Sequence, residues 1–374
     1  MMDEMGSGGR AEEVAHPATV LPGAALTEAQ RAEIRALAEK ADQLVKASLA
    51  ENTRIAYGKA WRAWSDWCLG FGLDPTGGGA SAGADPSAAA DERWLVMHLT
   101  ALSETRSLST ILLRRAAVVS IRKRLKRPLQ LDDTGFEAFL KGLRRTKGAR
   151  PVRKAALLEP NLRAASLVLT PAVHPQLGDI GHGEGEGRRD LRDMALLLIG
   201  FAGGFRRSEL AGFDLRDATF SAEGLVLFVG RSKADQERHG AEIGIEAVPG
   251  SPLCAVTMLR RWLEARGDGP GALFCRLDRG GNPVADAGGR LLPIDPATIA
   301  RVVKRAIART GEEAGEFSAQ SLRAGMMTAA DQLGVPFEKA MEHGRWKNYA
   351  SARIYRRHSS LWTGNFTGKL LAGK

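Results

Sequence analysis

From Thr27 onward polar and apolar residues recur at three- and four-residue steps, the period of an amphipathic helix. The stretch LTEAQRAEIRALAEKADQLVKASL predicts a helix with Thr27 as its N-cap and Glu28 and Glu33 near its positive end. A second helix is expected after Asn52 or Thr53, with Ile55, Ala56, Ala60, Trp61, Trp64 and Trp67 at helical spacing. The same period predicts helices at Glu92–Ser103, Ser109–Lys126 and Asp133–Arg144. Two segments lack it. Residues 1–26, rich in Gly, Ala and Pro, predict a mobile tail, and the low-complexity run Asp74–Ala90 predicts a flexible loop between helices. The region 27–146 therefore reads as all-helical.

The pattern then changes. Residues 147–158 begin with the basic, Gly- and Pro-containing KGARPVRK and read as a linker. Beyond it a helix is expected at Pro160–Leu169, a surface loop at Val173–Arg189 and a buried helix at Leu191–Gly203. Leu225–Val229 and Glu242–Val248 alternate as strands around the polar turn RSKADQERHGA, which predicts a β-hairpin. Helices follow at Cys254–Arg266, Asp295–Thr310, Ser321–Leu333, Pro336–Glu342 and Ser351–His358. The longest apolar run, Met194–Phe201, falls far short of the roughly 18 residues that span a bilayer. The expected fold is mainly α: a helical first domain, then an α+β domain with a small antiparallel sheet.

Charge adds a partner class. The net charge is +10, and between Arg106 and Lys154 lie Arg114, Arg115, Arg122, Lys123, Arg144, Arg145, Lys147, Arg150 and Arg153 among other cations. Such a concentration suits a polyanion, although a charge run is also what a solvated face looks like. Three well-separated cysteines (Cys68, Cys254, Cys275) make neither a metal-ligand spacing nor a disulfide framework, and the N-terminus carries no apolar signal region. Both point to the cytoplasm, with no membrane partner.

The candidate chemistry lies in the second half. Metal-free cleavage of a phosphodiester needs a nucleophile, cations on the non-bridging oxygens and an acid for the leaving oxygen. The chain offers GFRRSEL (204–210), then Lys233 in GRSKADQ, then Gln320 and Arg323 in QSLRAG, then Trp346 and Tyr355 in GRWKNYASARIYRR. In this order and wording the chain resembles the tyrosine recombinase (phage integrase) family, with a tryptophan similar to that of the Cre-like branch. ENTRIAYGKAWRAWSDWC resembles the family's core-binding helix. The resemblance implies a core-binding (SAM-like) domain over 27–146, a catalytic domain over 159–358, and a tail at 359–374 that docks on a neighbouring protomer.

Carried over residue by residue, the resemblance implies Arg206 as the first phosphate-binding arginine, with Arg207 as the alternative. A guanidinium fork matches two phosphate oxygens. It implies that Glu209 orients the site, although Glu209 also suits a helix-start carboxylate. Lys233 is implied as general acid for the departing 5′ oxygen, Arg323 as the second arginine, and Tyr355 as nucleophile. Trp346, nine residues before Tyr355, is implied as a late phosphate donor or else is a core tryptophan. Gln320 departs from the pattern, standing where histidine is expected; its amide donates a hydrogen bond but exchanges no proton near neutral pH. His343 and His239 read as ordinary loop or surface histidines, with supply of the missing imidazole as the alternative. Of the three tyrosines, Tyr57 belongs to the first domain, and Tyr349 sits too close to Trp346 and before the expected helix.

The implied activity is site-specific cutting and rejoining of double-stranded DNA through a 3′-phosphotyrosine, with no metal, ATP or other cofactor. The implied assembly is a homotetramer on two sites, with a partner recombinase or accessory protein as a further possibility, working at the nucleoid. Two alternatives stay open: a DNA-binding architectural relative weakened by Gln320, and a type IB topoisomerase-like enzyme.

Overall fold

A computed structural model describes residues 27–47, 51–77, 91–131, 133–148, 154–170, 184–230, 240–355 and 367–372. The chain divides into two compact units, Met1–Pro151 and Val152–Lys374. Lys233, His239, Arg150 and Arg153 lie outside the described residues, as do the tail 1–26 and most of the low-complexity run.

The first unit is built from α1 (Glu28–Ala47), α2 (Glu51–Gly70), α3 (Glu92–Thr105), α4 (Leu108–Arg124) and α5 (Asp133–Lys147). Two of the helix starts have a local cause in a side-chain cap. Asp91 caps α3 by accepting from Arg93 N at 2.9 Å, and Ser107 caps α4 by accepting from Thr110 N at 3.4 Å. The helical period then places Trp64, Leu95, Leu99, Ile111, Val118 and Leu140 in one core. Cys68 joins it, fully buried, as a small apolar residue. α2 begins at Glu51, slightly before the expected Asn52 or Thr53.

The second unit is organised around α7 (Glu184–Ala202). Its residues Met194 to Ile199 are buried without a break, so this helix is covered on every side. α6 (Glu159–Leu169), α9 (Ala255–Arg266) and α11 (Ala319–Gln332) pack on it. α8 (Arg207–Gly212) and α10 (Pro296–Arg309) pair beside them, and α12 (Phe337–His343) and α13 (Tyr349–Arg353) follow α11. A short α14 (Thr367–Leu371) exposes Leu370 and Leu371.

The sheet has three antiparallel strands in the order β1 (Ala218–Phe220), β2 (Gly224–Phe228), β3 (Glu242–Glu246). Leu225 pairs with Ile245 and Leu227 with Ile243, and all four face the core because side chains alternate along a strand. Val229 and Ala241 exchange two more backbone hydrogen bonds beyond the paired strands.

Three expectations change. The loop expected over Val173–Arg189 gives way to helix from Glu184, where Arg188 and Arg189 anchor the helix start on backbone carbonyls near Asp278–Gly281. The two-stranded hairpin gains β1, which three residues with little alternation did not announce. The helix expected at Ser351–His358 ends at Arg353, so Tyr349 is its first residue and Tyr355 lies just past it. Among the described residues no helix is long and apolar enough to cross a membrane.

Candidate active site

The site is assembled within the second unit from four chain segments. The first is the turn after α7. Gly204 has φ +56°, a left-handed conformation, and a Cβ there would meet Met326 Cε at 2.4 Å. This turn delivers Arg206 to the N-cap of α8. Glu209, three residues on, reaches back: Arg206 N donates to its Oε2 at 2.9 Å, and Arg206 Nη1 to its Oε1 at 2.6 Å. Arg207 is exposed, which leaves Arg206 as the arginine of the cluster.

The second segment is the start of α11. Ser318 caps it, and the three-residue spacing puts Gln320 and Arg323 on one face. Arg323 is 4% exposed, and its guanidinium donates to the carbonyls of Gly204 and Arg345. Burial, followed by the charge of Arg206, pushes its pKa down to about 9.

The third segment is the loop from α12 to α13. Trp346 packs against two site residues, with the Arg323 guanidinium 3.9 Å from its ring centroid and the Tyr355 ring 5.0 Å away, tilted by 51°. Its indole N–H is buried without an acceptor and faces Gly344, where a Cβ would lie 2.7 Å from Nε1. In this arrangement the indole ring lies against both the cation and the phenol.

Tyr355 closes the site just after α13. Its hydroxyl oxygen accepts from the Gln320 amide Nε2, and its backbone carbonyl accepts from Thr328 Oγ1 at 3.2 Å. Tyr349 is exposed and packs edge-on against Phe337, away from these residues. His343 is spent on the Ala202 carbonyl at 2.8 Å. Among the described residues no group of three or more His, Cys, Asp or Glu lies close enough to hold a metal.

One participant has no counterpart in the sequence reading. Arg345, with φ +55°, occupies a conformation that costs a residue other than glycine roughly 1–2 kcal/mol. Its guanidinium donates to Glu209 Oε2 at 3.0 Å and to the carbonyls of Gly203 and His343, and lies over the Phe205 ring. Burial alone would raise the Glu209 carboxyl, but Arg345, then the Arg206 backbone N–H and guanidinium, hold it below the usual range. Arg206 and Arg345 thus share one carboxylate, and the Arg323 guanidinium adds a third cation to the cluster. The surplus of positive charge beside a tyrosine hydroxyl suits an anion.

The cations expected on the first unit divide. Lys123, Arg144 and Arg145 are exposed, and Arg114 and Lys147 are half-buried. Arg115 is half-buried with its guanidinium 5.2 Å from the Phe136 ring centroid. Arg122 is a correction: the helical turn faces it inward, it is 5% exposed, and it donates to the carbonyls of Arg127 at 2.8 Å and Pro75 at 3.4 Å. It supports the fold and faces no duplex.

A family model described as the phage integrase family matches residues 168–361, which contain every member of this cluster. The chain belongs to the phage integrase family. Within it, an integrase/recombinase XerD homolog from Selenomonas ruminantium is 28% identical over 338 residues, covering 89% of each chain. Two solved structures of integrases show the same fold. The Tn1549 transposon integrase in complex with transposon right-end DNA matches with a TM-score of 0.55 at 14% identity, over 89% of this chain and 98% of that one. A lambda integrase dimer bound to a COC′ core site matches at 0.52 and 14%, over 87% and 95%. These integrases are tyrosine recombinases, and apart from Lys233, which lies outside the described residues, the motif residues that suggested the family meet in the second unit.

Proposed function

We propose that this chain is a site-specific recombinase that cuts and rejoins double-stranded DNA through a 3′-phosphotyrosine. The observation that carries the reading is the meeting of Tyr355 and Gln320 with Arg206 and Arg323 in one cation-rich site.

The steps follow from the groups. The scissile phosphate docks on the guanidinium forks of Arg206 and Arg323, which offset charge on its non-bridging oxygens as the pentacoordinate state forms. Tyr355 Oη attacks phosphorus and loses its proton to solvent, since the Gln320 amide holds the oxygen but takes no proton. The P–O5′ bond breaks, and the 5′ oxygen leaves with a proton from Lys233. Rejoining reverses this: a 5′ hydroxyl attacks the phosphotyrosine, the P–O bond to Tyr355 breaks, and the phenol recovers its proton. Bond energy is conserved throughout, so neither ATP nor metal is called for.

The core-binding domain, over 27–146 within the first unit, holds the DNA backbone through Lys123, Arg144 and Arg145 with Arg114 and Arg115, and Lys147, Arg150 and Arg153 of the linker add further contacts. That binding is salt-dependent and largely blind to sequence. The linker spans 147–158 and the catalytic domain 159–358. A homotetramer on two sites, with the tail 359–374 docked on a neighbouring protomer, brings the strands together in the cytoplasm.

The test uses duplexes recovered by binding from a randomised pool, each carrying one of a nested set of nicks to trap cleaved product. Incubated in EDTA and then denatured, wild-type protein should leave a covalent adduct and Tyr355→Phe none. Binding by both proteins without any adduct would favour an architectural relative, with Gln320 as its lesion.

A further inference from the structure

We infer that Arg345 is a positioning residue of the strand-cleavage reaction. It sets the two phosphate-binding arginines through its backbone and the orienting carboxylate through its side chain. This rests on the recombinase reading and adds to it a group that the resemblance did not supply.

Three observations carry the inference. First, the backbone of Arg345 is left-handed, at φ +55°, while Gly344 before it is ordinary, at φ −78°. A glycine at a helix end is where the left-handed turn is commonly found. Here Gly344 instead makes room for the Trp346 ring and Met326, and the turn falls on arginine. Second, the turn leaves the Arg345 carbonyl accepting from both site arginines, from Arg206 Nη2 at 3.2 Å and Arg323 Nη2 at 3.5 Å. One oxygen thus fixes the relative placement of two guanidinium groups that come from different helices.

Third, the guanidinium itself is spent within the site. It is 9% exposed, bridges Glu209 and the Gly203 and His343 carbonyls, and lies over Phe205. Glu209 in turn holds Arg206 through two hydrogen bonds. Truncating Arg345 would leave a buried carboxylate with a single cationic partner, free to draw Arg206 away from a phosphate. The effect reaches the reacting atoms only through Glu209, Arg206 and Arg323.

The experiment measures single-turnover adduct formation on the nicked duplex, DNA affinity and thermal stability for wild type, Arg345→Gly, Arg345→Lys, Glu209→Gln, and Arg345→Gly combined with Glu209→Gln. Arg345→Gly keeps the left-handed turn and its carbonyl and removes the side chain with its guanidinium. It should slow cleavage about 10- to 100-fold while affinity stays within about threefold, because misplaced groups cost rate more than binding. Arg345→Lys should recover part of the rate. Adding Glu209→Gln should cost less than the two single effects combined, since both act along one chain of contacts.

Unchanged cleavage in Arg345→Gly would overturn the inference. So would a loss shared equally by cleavage, affinity and melting, or a loss that Lys fails to relieve in a folded protein. A wild type that forms no adduct would overturn the recombinase reading itself, and this inference with it.

Discussion

Arg122 in the first unit and Arg323 in the second are buried almost equally, at 5% and 4% exposure, and each donates to two backbone carbonyls. Their surroundings differ in charge. Burial lowers the pKa of both, but near Arg122 the carboxylates of Glu92 and Asp74 oppose that effect. Around Arg323 the next contribution comes from Arg206 and pushes the same way, with Glu209 opposing and Arg345 pushing down again. Burial therefore does not distinguish an arginine that supports the fold from one proposed to hold a phosphate. The shortage of negative charge does, because a site left cationic gains most when a phosphate arrives.

The largest effect should come from Arg323→Ala. Removing one preorganised donor from a developing oxyanion slows cleavage roughly 100- to 1,000-fold, read as single-turnover adduct formation, with the N-terminal unit melting as before. A tenfold effect or less would erase the contrast with Arg122.

Next is an acid response in the first unit. His98 is 2% exposed, both ring nitrogens lack partners, and it packs between Trp64 and Trp67. Burial, then the charge of Arg114, lowers its pKa to about 4. The unfolded chain thus binds a proton that the folded unit refuses. Stability should be intact above about pH 6.5 and fall by about 3 kcal/mol as pH drops to 4. In His98→Phe the slope over this window should shrink; an unchanged slope would mean that other groups drive it.

Arg122→Ala should destabilise the first unit by about 2 kcal/mol, through lost packing and two carbonyls stripped of a donor. Cleavage per bound complex should persist at a permissive temperature. A selective loss of DNA affinity without destabilisation would return Arg122 to the duplex-facing set. The smallest effect is expected from Gln320→His. An imidazole that exchanges a proton with Tyr355 should raise cleavage up to about tenfold and leave affinity unchanged. A slower enzyme would mark the amide as fitted to this site.

Much of this was legible in the sequence. The helical period located most helices of both units because most bury one stripe, and the order Arg206, Gln320, Arg323, Trp346, Tyr355 named residues that the second unit brings together. Arg122 misled because charge runs reveal composition and not facing, and one turn of α4 decides whether an arginine meets solvent or core. The start of α7 was hidden because Arg188 and Arg189 are anchored by a loop some 90 residues away. Arg345 was invisible for a related reason. In GRWKN a left-handed turn reads onto Gly344, and only the crowding of Trp346 and Met326 against that glycine moves it one residue on.

The central claim, that Tyr355 becomes covalently joined to DNA, is tested most directly by locating the bond. Adduct trapped on the nicked duplex would be digested with nuclease and protease, and the nucleotide-bearing peptide sequenced by mass spectrometry. The account predicts a 3′-linked phosphonucleotide on Tyr355. A nucleotide on Tyr349 or Tyr57, or a linkage through the 5′ end, would contradict it.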